Sequence, residues 1–144
     1  MKISTKGRYG LRMIIELAKN YNRRVISIKE IAEKNNISEK YLEQIIILFN
    51  KAGLVTSVRG AGGGYRLNVP PEKLMVGTVL RTVEGSLSPV DCVDFPDHCP
   101  RSGQCITIAL WKRLKEAIDG VVDHTSIADL IDEKGENDCT EYYI

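Results

Sequence analysis

From Ser27 to Phe49 the chain reads SIKEIAEKNNISEKYLEQIIILF, and from Gly53 to Leu67 it reads GLVTSVRGAGGGYRL. Ser27 and Glu30 have the S-x-x-E spacing of a capping box, in which hydroxyl and carboxylate satisfy the first amides of a helix over Ile28 to Lys34. Asn35 and Asn36 break that helix, since asparagine tolerates positive φ. Ser38 then caps a second helix, whose Leu42, Ile45, Ile46 and Phe49 fall at i, i+3, i+4 and i+7. Gly53 suits the left-handed residue that closes it. Two amphipathic helices joined by so short a turn form a helix-turn-helix. A wing follows: Leu54 to Arg59 is strand-like, Gly60 to Gly64 is the turn, and Tyr65 to Val69 returns. A winged helix-turn-helix holds a helix in the major groove of DNA.

The distribution of charge agrees. The chain as a whole carries a formal net charge of only +1, which by itself selects no partner. Residues 1–66 contain 13 Lys and Arg against 5 Asp and Glu, a net of +8, whereas residues 67–144 contain 7 against 14, a net of −7. Basic charge gathered on the segment that holds the helix-turn-helix is the footprint of a phosphate-binding surface. The acidic remainder would repel nucleic acid and is expected to face solvent or protein.

At 144 residues the chain is expected to divide into a head at 1–70, a cysteine loop and dimerisation helix at 71–135, and a polar tail at 136–144. Hydrophobic content of 43% suffices for a buried core. No apolar run approaches a membrane span and the opening Met1-Lys2-Ile3-Ser4 is no signal peptide, so a cytoplasmic protein is expected. In that compartment the four cysteines are not expected to form structural disulfides. A first helix is predicted over residues 4–20, with Leu11, Ile14, Ile15 and Ala18 on its inner face. A short helix is predicted from Val76 to Glu84, a loop from Ser86 to Cys105, and the longest helix from Ile106 to about Val122. Trp111, Leu114, Ile118 and Val121 alternate at spacings of three and four along that last helix, the seam of a coiled coil. The seam can pair with a second copy or pack on the first helix of its own chain. A final short helix is predicted over Ser126 to Ile131. The expected fold is mainly α with a small β-hairpin wing, a winged helix-turn-helix head followed by a long dimerisation helix.

With Leu42, Ile45, Ile46 and Phe49 turned inward, Ser38, Lys40, Tyr41, Glu43 and Gln44 are left to face DNA. Gln44 can bond N6 and N7 of adenine, and Glu43 can accept from N4 of cytosine. Tyr41 can donate to a phosphate or touch a thymine methyl. Arg59 at the wing suits a narrow minor groove, and Gly60 lets the backbone approach the sugar-phosphate closely. Lys2, Lys6 and Arg8 are candidates for phosphate contact. A nucleotide-binding reading of Gly60 to Gly64 fails, because a P-loop continues as Lys-Ser/Thr into a helix and here Tyr65-Arg66-Leu67 continues as a strand.

Cys92, Cys99 and Cys105 are spaced C-x6-C-x5-C within the Ser86–Cys105 loop. Thiolates are soft ligands that suit zinc, copper(I) or an iron–sulfur cluster. Zinc sites usually draw on close C-x2-C pairs, which are missing here, and the wider spacing suits a larger object such as a cluster. A fourth position is open to His98, His124, Asp91, Asp94, Cys139 or a small molecule; a zinc staple and three unligated thiols are the alternatives. No grouping of cysteine with histidine and an orienting acid has a catalytic pattern, so no enzyme is expected.

Met1-Lys2-Ile3-Ser4-Thr5-Lys6-Gly7-Arg8-Tyr9, Tyr41-Leu42-Glu43-Gln44 and Val58-Arg59-Gly60-Ala61-Gly62-Gly63-Gly64-Tyr65 closely resemble the Rrf2 family of bacterial winged-helix regulators. The likeness covers nearly the whole chain. It implies a homodimeric transcriptional regulator that binds a double-stranded DNA operator through Tyr41–Gln44 and Arg59, with the long helix carrying the dimer contact. The cysteine loop resembles the family's IscR branch, in which three loop cysteines hold an iron–sulfur cluster (2Fe-2S or 4Fe-4S), matched here by Cys92, Cys99 and Cys105. Two positions depart from that branch: Ile108 stands where a histidine follows the third cysteine, and Arg8 where an acidic ligand lies near the N-terminus. Lys2-Ile3-Ser4, Ser86-Leu87-Ser88-Pro89-Val90 and the ending Tyr142-Tyr143-Ile144 resemble the CymR branch instead. That likeness implies cysteine synthase as a partner of the tail, its active site accepting the Ile144 carboxylate. The expected role is a repressor that senses cluster status and controls iron–sulfur assembly or cysteine and sulfur metabolism. The alternative is a cluster-free repressor of cysteine metabolism regulated by cysteine synthase on the tail.

Overall fold

The structure is a computed structural model that describes residues 2–140, with side chains described as far as residue 134. The tail residues Tyr142, Tyr143 and Ile144 lie outside the described residues. Helix α1 (Thr5–Lys19) is followed by α2 (Ile28–Asn35) and α3 (Glu39–Lys51), then by strands β1 (Val55–Val58) and β2 (Gly64–Leu67). The strands pair antiparallel, with Val55 opposite Leu67 and Val58 opposite Gly64. Ile26 adds a third short edge by exchanging two backbone hydrogen bonds with Tyr65, at 2.9 and 2.8 Å. Helix α4 (Val76–Glu84) leads to a loop containing the one-turn helix α5 (Asp91–Asp94) and 3-10 turns at Pro96–His98 and Ser102–Gln104. Helices α6 (Ile108–Val122) and α7 (Ile127–Thr140) end the described chain. This is the winged helix-turn-helix with a long helix behind it that the sequence predicts.

Local chemistry accounts for the boundaries. Ser4, Ser27 and Ser38 each accept a backbone N–H three residues on, at 3.1 Å, and so cap α1, α2 and α3. Asn36 takes the left-handed conformation (φ 53°) between α2 and α3, as its short polar side chain permits. Gly53 does the same after α3 (φ 75°). The capping box predicted at Ser27 is only half formed, because Glu30 turns to Arg24 (2.8 and 2.5 Å) and Lys34 (3.1 Å) instead. A complete one lies at α7, where the Ser126 N–H donates to Asp129 Oδ2 at 2.8 Å and the Asp129 N–H donates to Ser126 Oγ at 3.0 Å.

Leu42, Ile45, Ile46 and Phe49 are all buried, as the period of α3 predicts. They meet Met13, Ile14 and Leu17 of α1, Ile31 of α2 and Val79 of α4 in one core. The inner face of α1 is rotated from the predicted one: Met13 and Leu17 are buried with Ile14 and Ala18, while Leu11 and Ile15 are half-exposed. Gly7 and Gly10 complete the buried face and let α4 and α3 approach; a Cβ at Gly10 would sit 3.1 Å from Phe49 Cζ. Helix α7 also departs from the sequence reading, running to Thr140 rather than ending near Ile131. Helix α6 starts at Ile108 rather than Ile106, and no residue along it is buried. Of the predicted seam, Leu114 and Val121 remain exposed while Trp111 and Ile118 are half-buried, Ile118 against the core, so packing within the chain covers the seam only in part. Arg81 of α4 fastens α6 by pairing with Asp119 and Asp123, both at 2.6 Å. Among the described residues, no helix is long and apolar enough to cross a membrane.

Candidate nucleic-acid interface

Helix α3 presents one face to the core and the other to solvent. Ser38, Lys40, Glu43 and Gln44 are exposed, as the positions outside the i, i+3, i+4, i+7 row should be. Tyr41 is different. Its ring is half-buried and meets Tyr9 of α1 edge to face, with centroids 5.7 Å apart and planes at 89°. Arg12 lies over the other ring of the pair, its guanidinium carbon 5.8 Å from the Tyr9 centroid. Sequence reasoning missed this platform, because Tyr9 and Tyr41 are far apart in the chain and nothing in either local pattern links them.

At the wing, Arg59 and Gly60 are exposed at the turn between β1 and β2. Gly60 has φ 103°, which an L side chain rarely adopts. The hairpin's base is braced by Asn68, which accepts from Thr56 Oγ1 at 2.7 Å and donates to the Gly53 carbonyl at 2.9 Å. Near the start of α1, Lys2 and Arg8 are exposed and Lys6 is half-buried. Arg8 donates to Thr5 Oγ1 at 3.1 Å. Among the described residues none of Lys2, Lys6, Arg8, Lys40 or Arg59 is in an ion pair. Their charge is free to meet phosphate.

On the cysteine loop, Cys92 sits in α5, Cys99 follows the first 3-10 turn and Cys105 follows the second. All three are free thiols and half-buried. The Thr107 hydroxyl, 3.3 Å from Cys105 Sγ, draws that thiol below its usual range, helped by the backbone N–H groups of Thr107 and Ile108. As a donor set, three unoxidised thiols on one loop suit a soft metal or a cluster. Among the described residues, however, no three His, Cys, Asp or Glu side chains converge to form a metal site. Several candidates for a fourth ligand are engaged elsewhere. Asp94 accepts from the hydroxyls of Ser86 and Ser88, His98 stacks on Phe95 with centroids 5.1 Å apart, and His124 Nδ1 is 3.0 Å from the Gly120 carbonyl oxygen. Asp91 is exposed, and the side chain of Cys139 lies outside the described residues.

Comparison with known proteins agrees with this geometry. The family model for Rrf2, described as an iron-dependent transcriptional regulator, matches residues 3–133. The chain belongs to the Rrf2 family. The HTH-type transcriptional regulator CymR of Bacillus subtilis is 43% identical over 145 residues, covering all of both chains. A solved structure of CymR, the global cysteine regulator of B. subtilis, has a TM-score of 0.75 at 45% identity, covering 90% of this chain and 95% of that one. The solved structure of IscR from T. potens has a TM-score of 0.78 at 38% identity, covering 95% of this chain and 90% of that one. As a member of the Rrf2 family with the helix-turn-helix and wing in place, the protein is a DNA-binding transcriptional regulator.

Proposed function

We propose that this Rrf2-family protein is a homodimeric repressor whose operator affinity depends on an iron–sulfur cluster at Cys92, Cys99 and Cys105. The observation that carries the reading is the set of three free, half-buried thiols on one loop between α4 and α6. The loop is built of single turns, so it can re-form around a bound group, and a cluster there would supply redox and iron sensitivity. Glu43 and Gln44 reach base edges in the major groove, Arg59 enters the minor groove, and Ser38, Lys40, Tyr41, Gly60, Lys2, Lys6 and Arg8 hold phosphates. The exposed apolar row on α6 supports the dimer. So does a cavity of about 550 Å³ beside it, lined by Ile3, Leu80, Leu87, Leu114, Ile118 and Val122. The genes controlled would belong to iron–sulfur assembly or to cysteine and sulfur metabolism.

A second reading is favoured by the full-length identity to CymR. In it the protein is a cluster-free repressor of cysteine metabolism, and cysteine synthase docks on Tyr142, Tyr143 and Ile144. A terminal carboxylate captured by backbone amides, with an aliphatic side chain in a pocket, is a known recognition mode.

The deciding experiment is the visible spectrum of protein purified without oxygen, read beside its iron, sulfide and zinc content and its operator affinity. Charge-transfer bands, matching iron and sulfide, and an affinity that changes when the cluster is removed support the first reading. A colourless protein with stoichiometric zinc replaces the cluster by a zinc staple. A colourless, metal-free protein that iron and sulfide cannot reconstitute leaves the second reading.

A further inference from the structure

Between α4 and the cysteine loop, the five residues Glu84 to Ser88 are tied at both ends. At the first end, Glu84 Oε1 accepts from the Ser4 backbone N–H at 2.9 Å and from the Ser4 hydroxyl at 2.5 Å. Ser4 Oγ in turn accepts from the Gly7 N–H at 3.1 Å, so the carboxylate is built into the cap of α1. Gly7 is the residue that admits it, since a Cβ there would run into Glu84 Oε1. The stretch of chain held in this way carries Lys2, Lys6 and Arg8.

At the other end, Ser86 Oγ donates to Asp94 Oδ2, and Ser88 Oγ donates to Asp94 Oδ1 at 2.6 Å. The Ser88 N–H donates to Ser86 Oγ at 3.0 Å and closes the knot. Leu87 is buried between the two serines, which seats the segment in the core. Gly85 (φ 80°) makes the turn that brings Glu84 and the knot side by side. Asp94 is the last residue of α5, the single turn that carries Cys92.

We propose that Glu84 is a positioning residue for operator binding, and that the Ser86–Ser88–Asp94 knot makes it answer to the conformation of the cysteine loop. Asp94 and Cys92 share one helical turn. Any ligand or covalent change that re-seats Cys92 therefore moves a carboxylate holding both serine hydroxyls. The Glu84–Ser88 segment shifts with it, and with that segment goes the cap that sets the direction of Lys2, Lys6 and Arg8. The part played by those cations rests on the operator reading above; the mechanical link can be tested without any cluster.

The experiment is amide hydrogen exchange on the cluster-free full chain, with operator affinity measured in parallel. The set is wild type, Glu84→Ala, Asp94→Ala and the double variant. Glu84→Ala should speed exchange at Gly7 and Arg8 and weaken operator binding about fivefold or more. Asp94→Ala should change the same amides in the same direction, although it touches none of them. The double variant should be no worse than Glu84→Ala alone, because the two residues act through one segment. Wild-type exchange at Gly7 and Arg8 in Asp94→Ala, or effects that simply add, would overturn the link. If Asp94→Ala fails to fold, the paired change Ser86→Ala with Ser88→Ala removes the same bonds from the other side and decides the matter. A wild type that takes up no iron and sulfide ends the cluster reading but leaves this outcome intact. Altered exchange with unaltered operator affinity instead removes Glu84 from operator binding.

Discussion

The Tyr41 ring stands edge-on to Tyr9, 5.7 Å between centroids and 89° between planes, and this pair joins the first turn of α3 to α1. The contact divides Tyr41 between two tasks. Its half-buried ring belongs to the packing of the head, and its hydroxyl is the group proposed to meet DNA. Such aromatic pairs add about 0.5–1.5 kcal/mol beyond the area they bury. Tyr41→Phe should therefore melt close to wild type and lose only what the hydroxyl contributes to operator binding. Tyr41→Ala should cost about 1–3 kcal/mol of stability as well. Denaturant melts with parallel binding curves separate the two. Equal melts for both variants would show that the pair holds nothing together.

Arg59 should carry specific affinity rather than stability. It is exposed at the wing and unpaired among the described residues. Arg59→Ala should leave the melt unchanged and weaken operator binding by about 1–3 kcal/mol. Its logarithmic salt slope should also become shallower by roughly one. Fluorescence anisotropy across a salt series measures both. An unchanged affinity would remove the wing from the interface.

The Arg81 network makes stability depend on acidity with a definite sign. Asp123 is held below the usual carboxylate range by its hydrogen bonds to Arg81, and Asp119 by Lys115 first and Arg81 second. Groups with lowered folded pKa contribute fully above their unfolded value, about 3.9 for aspartate, and lose that contribution as pH falls through the lower folded value. Melting temperature should accordingly drop below about pH 4. Arg81→Gln should melt lower at neutral pH, and its curve should approach wild type as the solution is acidified. Curves that stay parallel at every pH would mean the network contributes no stability.

The head was legible in the sequence where a local pattern had one solution. In α3 the spacing of Leu42, Ile45, Ile46 and Phe49 admits a single inner face, and the serine caps fix where each helix starts. Helix α1 is apolar on several sides, with Leu11, Met13, Ile14, Ile15 and Leu17 in seven residues, so its period cannot choose the face. The choice falls to Gly7 and Gly10, which let neighbouring elements come close. Helix α7 runs past the predicted end at Ile131 and continues through Gly135, although glycine is a poor helix former. Pairs remote in the chain, Tyr9 with Tyr41 and Ser4 with Glu84, leave no local trace at all. The same holds for the cysteine loop, where spacing identifies three thiols but not where each one points.

Helix α6 is the proposed dimer contact. Its apolar row leaves Leu110 47%, Leu114 37% and Val121 66% exposed, and none of its residues is buried. Within the chain α6 is only partly covered, through Ile118 and Val122 against the core, and its remaining apolar row calls for a second surface. A second copy offers the same row, and a two-fold contact between identical faces is self-complementary. Val121→Glu places a charge on that row without touching the head's core. Sedimentation should show the wild type as a dimer and this variant as a monomer, with an unchanged helical spectrum. Operator binding should weaken sharply in the variant, since each half-site then has to be held by one head alone. A Val121→Glu protein that remains dimeric at micromolar concentration would place the contact elsewhere. Leu114→Glu, on the same row about two turns nearer the cysteine loop, would then show whether any part of α6 takes part.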